Sequence, residues 1–440
     1  MHRYLSVLFL FITTGINAQI VQVADIRAGA GSSDPESCIW INGQLFFRAD
    51  DGTHGKEWFT TDGTATGTQL LKDIYPGLPG SSLAGVYTNY IEYNDLLLFE
   101  AVDTALNHEL WRSDGTAAGT FKVKEIYPGT TNGGLMASLQ NADGLVYFAG
   151  EDADHGIELW TTDATEAGTY MVCDIDATAP TINSSPEKFY AYNGLVYFEA
   201  VKDNLGDEIW VTDGTCGGTS MLKNLNNGDG DGCHPDYFTD YLDIIYFTAY
   251  TDLDGPIDTE LWKSDGTAAG TQLVKDIAPG IAEGLPRYLT VVNGQLCFSA
   301  KSAFNDYELW TSDGTEAGTV LLKDIFTGTT GSNPQNFMLV GTTLFFTADD
   351  GVNGKELWKT DGTTGGTVLV KNMRAGATSS NPANLTAVNE VLYFTANNGV
   401  NGNELWRSDG TEAGTVMVED LNPAGSSSPS NLFFTGETLY

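Results

Sequence analysis

The chain has 440 residues, with 58 acidic against 21 basic side chains and a formal net charge of −37, which makes nucleic acid and anionic membrane surfaces poor partners. Such a surface attracts cations instead, and calcium is the one expected where aspartates cluster beside glycines. Five cysteines are too few for a disulfide framework in a chain of this length.

Residues 1–18 read as a secretory signal peptide, with a basic start at His2 and Arg3, an apolar run from Leu5 to Ile12, and a small-residue site at Ile16-Asn17-Ala18 before Gln19. No later run of apolar residues is long enough to span a bilayer. The expectation is a secreted or cell-surface protein without membrane insertion, whose residues 19–440 form one domain. Residues 21–26 then match the fourth strand of a repeat that has no preceding copy.

From there the chain repeats itself. The pattern ELW-x-[ST]-DGT-x-x-GT-x-x-[VL]-K-[DEN]-[IL] places Trp111, Trp160, Trp210, Trp262, Trp310, Trp358 and Trp406 in one slot, and Phe59 fills it in the first copy. Successive occupants lie 48 to 52 residues apart, the period of a propeller blade. Within the last copy, alternation and turn signals predict strands over 383–388, 391–397, 404–409 and 415–421. Asn42-Gly43, Asn193-Gly194 and Asn293-Gly294 mark the first hairpin turn in other copies, since a type I′ turn needs positive φ at both positions. No sustained 3.6-residue period occurs, so helix is not expected. The second strand repeats Phe47, Phe99, Phe148, Phe198, Phe247, Phe298, Phe346 and Phe394. Eight such residues cannot each build a core, but stacked sheets can bury them against one another. The prediction is an all-β fold, a single β-propeller of eight four-stranded blades, followed by an incomplete ninth copy ending at Tyr440. The termini either overlap to close the ring or belong to a longer protein.

These motifs resemble the ELWxxDGT repeat family, and the resemblance covers nearly all of residues 19–440. It implies a secreted bacterial protein, of a group that often ends in a sorting domain, and no assigned biochemical activity.

Recurrence separates scaffold from function. A catalytic acid is needed once, so the glutamates at 57, 109, 158, 208, 260, 308, 356 and 404 are expected to accept hydrogen bonds from loop backbone N–H groups. The DGT aspartates, such as Asp265 and Asp361, are expected to satisfy their own turns. Function should lie where copies depart from the pattern. Between Phe247 and Glu260 there are thirteen steps where every other copy has ten. The inserted loop runs Tyr250-Thr251-Asp252-Leu253-Asp254-Gly255-Pro256-Ile257-Asp258, and the loop before the same blade carries Asn227, Asp229, Asp231 and Gly232. Both resemble partial calcium loops and should lie at one end of blade five, so Asp229, Asp231, Asp252, Asp254 and Asp258 are the expected Ca2+ ligands. Two solvated acidic loops are the alternative.

His54, His108 and His155 invite a zinc reading, but His54 and His155 share a slot with Asn353 and Asn401 and read as turn residues. Tyr87, Tyr90 and Tyr93 read as sheet residues before they read as a sugar-stacking platform. Cys216 and Cys233 are separated by a strand of roughly 20 Å, beyond bridging distance, so all five cysteines are expected free. No nucleophile-elbow, zinc-protease or phosphate-loop motif occurs. The function expected is a binding, adhesion or scaffolding module taking a protein or glycan ligand at its loop face. The alternative is a carbohydrate-active enzyme, a glycoside hydrolase or lyase, with carboxylates gathered at the channel mouth.

Overall fold

In the computed structural model, residues 8–11, 20–76, 89–103, 108–128, 134–142, 144–177, 182–202, 205–226, 232–251, 258–279, 283–302, 306–436 and 438–440 are described. Eight four-stranded antiparallel blades form a ring, a β-propeller. The one helical piece among the described residues is a single 3₁₀ turn at Cys216–Gly218. Blade eight shows how closely the repeat predicts the strands: they run Ala383–Val388, Val391–Asn397, Asn403–Ser408 and Val416–Glu419.

Blades one, four, five, seven and eight begin alike. A residue with positive φ precedes a proline, and a second positive-φ residue follows two places on: Asp34 and Ser37, Ser185 and Lys188, His234 and Tyr237, Asn333 and Asn336, Asn381 and Asn384. That kink shifts the register between first and second strands, as between Asp236 and Thr239 in blade five.

The blades stack through one recurring contact. The Leu of ELW, with the valine and the isoleucine or leucine around its fourth strand, forms one face. The Phe, Ala and Trp of the next blade form the other. Leu261, Val274 and Ile277 of blade five thus cluster with Phe298, Ala300 and Trp310 of blade six, and Leu357, Val370 and Met373 of blade seven with Phe394, Ala396 and Trp406 of blade eight. At such seams the central strands have both faces covered, which is why the second strand is apolar nearly throughout.

Polar links reinforce the seams. A lysine on or just after the fourth strand donates to the backbone carbonyl of the GT threonine of the next blade: Lys72 to Thr120 at 2.6 Å, Lys124 to Thr169 at 2.6 Å, Lys223 to Thr271 at 2.7 Å and Lys323 to Thr367 at 2.6 Å. Blade three has Cys173 in this lysine slot, and it is disulfide-bonded to Cys216 of blade four, with Cα atoms 4.8 Å apart. The expectation of five free thiols is therefore corrected. Cys38, Cys233 and Cys297 are free.

Between blades eight and one lies a short sheet from both ends of the chain. Phe433 and Tyr440 exchange backbone hydrogen bonds of 3.0 and 2.7 Å. Thr438–Leu439 pairs with Leu8–Phe11, which pairs with Ile20–Gln22. Leu439 packs on Tyr393 and Leu405 of blade eight, while Phe433 and Tyr440 pack against the Phe47 and Phe59 cluster of blade one. The two ends meet: among the described strands Ile20–Gln22 joins Thr438–Leu439 through Leu8–Phe11, and Ile26 shares a hydrophobic cluster with Phe433 and Tyr440.

Candidate functional site

The loop leading into a blade and the loop joining its second and third strands share one end of that blade. Their stems are bonded: Tyr250 N–H donates to the Cys233 carbonyl at 2.7 Å, as Lys301 does to Gly284 and Asp349 to Ser332. The described stems of the two acidic loops of blade five are therefore adjacent. Asn227, Asp229, Asp231, Asp252 and Asp254 lie outside the described residues. Around them, Asn226 Nδ2 donates to the Gly232 carbonyl at 2.9 Å and closes the base of the first loop.

Asp258, the remaining expected calcium ligand, starts the third strand opposite Thr251. Its carboxylate accepts the Gly284 N–H at 3.2 Å, and it groups with Glu260 and Asp276, with ligand atoms within 4.8 Å of one another. Burial, with Asp258 and Asp276 close by, pushes the Glu260 carboxyl up to about 9. Burial likewise raises Asp258.

Glu260 is one of the recurrent glutamates, and the role expected of these is the one seen. Each reaches from its third strand into the link between blades. Glu158 accepts the Ile175 N–H at 2.8 Å, the Ser184 N–H at 3.2 Å and the Ser184 hydroxyl at 2.6 Å. Glu308 does the same with Ile325 and Ser332. In the Glu260 copy, Gly284 fills that serine slot and offers only its N–H, at 3.1 Å. Deeper burial, with Asp258 and Asp276 as neighbours, makes it a weaker acid than Glu109 or Glu158, which burial raises to about 7.

The DGT aspartates are equally committed. Asp361 Oδ1 accepts the Thr363 N–H at 2.9 Å and its hydroxyl at 2.6 Å. These bonds hold the aspartates below the usual carboxylate range, at Asp62, Asp265 and Asp361 alike.

His54 Nδ1 lies 2.7 Å from Asp51 Oδ2, where blade seven has Asn353 Nδ2 donating to Asp350 at 2.7 Å, so these are turn residues as expected. His155 pairs with Asp152 in the same way, and His108 with Glu100 at 2.6 Å. Among the described residues these three histidines join no group of three ligands. Tyr93 is buried, with its hydroxyl on the Gly144 carbonyl at 2.6 Å, and Tyr90 packs edge-on to Trp58. Tyr87 lies outside the described residues.

Sequence reasoning passed over one constellation. Glu199 of blade four's second strand, Asp207 at the start of its third strand, and His234 leading into blade five bring their ligand atoms within 4.8 Å of one another. His234 Nδ1 is 3.3 Å from Glu199 Oε1 and 3.1 Å from Asp207 Oδ2. Lys188 Nζ sits 2.6 Å from the other Glu199 oxygen. The available signal was Glu199 itself, a charge in a slot that holds Thr248, Ser299, Thr347 and Thr395 in later copies.

No protein-family model matches the chain, and no curated protein matches it. Among solved structures it is similar to a puromycin hydrolase, at 12% identity over 91% of this chain and 56% of that one, with a TM-score of 0.42. It is also similar to a puromycin-hydrolysing peptidase of Mycobacterium tuberculosis, at 12% identity over 76% and 53%, TM-score 0.41. Prolyl oligopeptidase B from Galerina marginata aligns at 12% identity over 77% and 51%, TM-score 0.43. The chain spans about half the length of these proteins. The likeness carries no argument about activity.

Proposed function

We propose that the chain is an exported ELWxxDGT repeat propeller acting as a binding, adhesion or scaffolding module, with a protein or glycan ligand at its loop face. Calcium bound by Asp229, Asp231, Asp252, Asp254 and Asp258 would brace that face at blade five. The observation that carries the reading is how the recurrent acids are used. Glutamates such as Glu158, Glu308 and Glu356 are consumed in links between blades, and aspartates such as Asp265 and Asp409 in their own turns. What differs from copy to copy is concentrated in the loops, where ligand-binding residues are free to vary on a rigid frame.

Export is supported by the Cys173–Cys216 disulfide, a bond that persists in oxidising compartments. Among the described residues no helix is long and apolar enough to cross a membrane.

The calcium part is tested by calorimetry on the full chain and on an Asp252→Ala, Asp254→Ala double variant. If calcium binds only the folded state, a hundredfold excess over its dissociation constant stabilises the protein by roughly 2.7 kcal/mol. The double variant should lose that gain and keep its metal-free stability. A glycan array run with calcium and then with chelator tests the ligand part. Turnover of any glycan on the array would replace the binding reading with the enzymatic one.

A further inference from the structure

We propose that Glu199, Asp207 and His234 form a zinc site at the junction of blades four and five, separate from the calcium loops. The geometry fits the ion. Zinc ligands stand about 2.0–2.1 Å from the metal at tetrahedral corners, which places neighbouring donor atoms about 3.3 Å apart. The two separations involving His234 Nδ1 are 3.1 and 3.3 Å. The third separation, between the Glu199 and Asp207 oxygens, is within 4.8 Å.

Each donor is held by the fold. Glu199 is 2% exposed, fixed beside Phe198 in the second strand. Asp207 is paired with Val201 at the opening of the third strand. His234 is pinned from three sides. Its N–H and that of Cys233 both point to the Asp207 carbonyl, at 3.3 and 2.6 Å. Its ring meets Tyr250 edge-on with centroids 5.5 Å apart. Its positive φ of 42° is the one shared by every blade opening of this type.

The donor set selects the metal. Imidazole nitrogen is a borderline ligand that suits zinc and is not used by calcium, whose sites are all oxygen. Lys188 engages one Glu199 oxygen and leaves the other facing His234. Glu187 and Asp236 add negative charge around that lysine, so a divalent cation meets a net attractive field. Asp207 and His234 are both partly exposed, which leaves an approach from solvent and room for a water as fourth ligand.

Asparagine occupies the His234 slot in blades seven and eight, at Asn333 and Asn381, with the same positive φ. His234→Asn therefore removes the nitrogen ligand and keeps the turn. The experiment titrates Zn2+ by calorimetry into full-length protein stripped with chelator, in saturating calcium, and repeats it with His234→Asn and Asp207→Asn. One equivalent should bind to the parent protein. Each variant should bind at least about 10-fold more weakly while melting at the parent's metal-free temperature, and Asp252→Ala with Asp254→Ala should leave zinc uptake unchanged. Absence of stoichiometric uptake overturns the site. So does uptake that survives both single variants, or uptake lost in the calcium-loop variant alone. Failure of calcium binding leaves the zinc result standing, because the two ligand sets share no residue.

Discussion

Cys173 and Cys216 are bonded across the seam between blades three and four, at the point where other seams set a lysine against a backbone carbonyl. Cys173 takes the lysine slot. Cys216 takes the slot after DGT, whose carbonyl is reached by Lys275 through Glu316 at 3.4 Å and by Lys371 through Glu412 at 3.3 Å. The disulfide thus substitutes one cross-link for another. It closes a loop with a sequence separation of 43, and removing such a bridge costs about 2–4 kcal/mol. The double variant Cys173→Ser, Cys216→Ser should lose that amount in urea denaturation. Cys173→Lys combined with Cys216→Ala should recover about 1.5–3 kcal/mol of it by restoring a charged hydrogen bond to the neighbouring blade. No difference between the two pairs would show that the slot equivalence has no energetic meaning.

Two adjacent glycines offer a sharper contrast. A Cβ added to Gly366 would fall 2.0 Å from Asp361 Oδ1, whereas one added to Gly365 meets nothing within 4 Å. The DGT aspartate folds back over the second glycine of DGT-x-x-GT, which is why Gly67, Gly119, Gly168, Gly218, Gly270, Gly318 and Gly414 repeat it. Gly366→Ala should destabilise by about 1–3 kcal/mol, because either the turn or the aspartate's bonds to Thr363 must yield. Gly365→Ala should lie within about 0.5 kcal/mol of the parent. Equal effects in thermal melts would contradict the crowding.

The repeat made the blades legible because period and alternation are local properties of the chain. It also told scaffold acids from variable ones, since a residue needed at every seam recurs at every seam. The disulfide is not legible within one copy: Cys216 and Cys233 lie at opposite ends of a strand, while seam contacts run from one copy's fourth strand to the next copy's DGT turn. Comparing slots in adjacent copies would have paired Cys173 with Cys216. The Glu199, Asp207 and His234 group was less accessible, because its members come from three different slots: strand pairing brings Glu199 and Asp207 together, and the hydrogen bonds of Cys233 and His234 to Asp207 add the third from the next blade.

Trp310 tests the seam itself. It is 6% exposed and packs against Leu261, Val274 and Ile277 of the preceding blade. Trp310→Ala should cost roughly 3–5 kcal/mol through lost burial and the cavity left behind. A shift below about 1 kcal/mol would mean that the blades do not depend on this contact.

The buried glutamates dictate an acid-shifted stability optimum. Burial raises Glu109 and Glu158 from 4.5 to about 7, and burial with nearby carboxylates raises Glu260 to about 9. Between the unfolded value of 4.5 and these folded values, the folded state binds protons that the unfolded chain has released, so stability falls as pH rises through 7 and on towards 9. The turn aspartates act in the opposite sense. Asp62, Asp114 and Asp265 are lowered from 3.8 by hydrogen bonds from their own threonines, so their contribution is present above that value and lost as pH falls below it. Together they place maximum stability at about pH 4–5. Part of any loss at higher pH comes from general repulsion in a chain of net charge −37, and salt near 0.5 M screens that part over about 4 Å. Melting temperatures measured from pH 4 to 9 in high salt should therefore still decline, and Glu158→Gln should flatten the decline between about pH 5 and 7 because a neutral amide carries no proton to release. A melting temperature that rises from pH 5 to 8 would show that these glutamates are ionised in the folded blades, paired with donors beyond the Ile175 and Ser184 groups that hold Glu158.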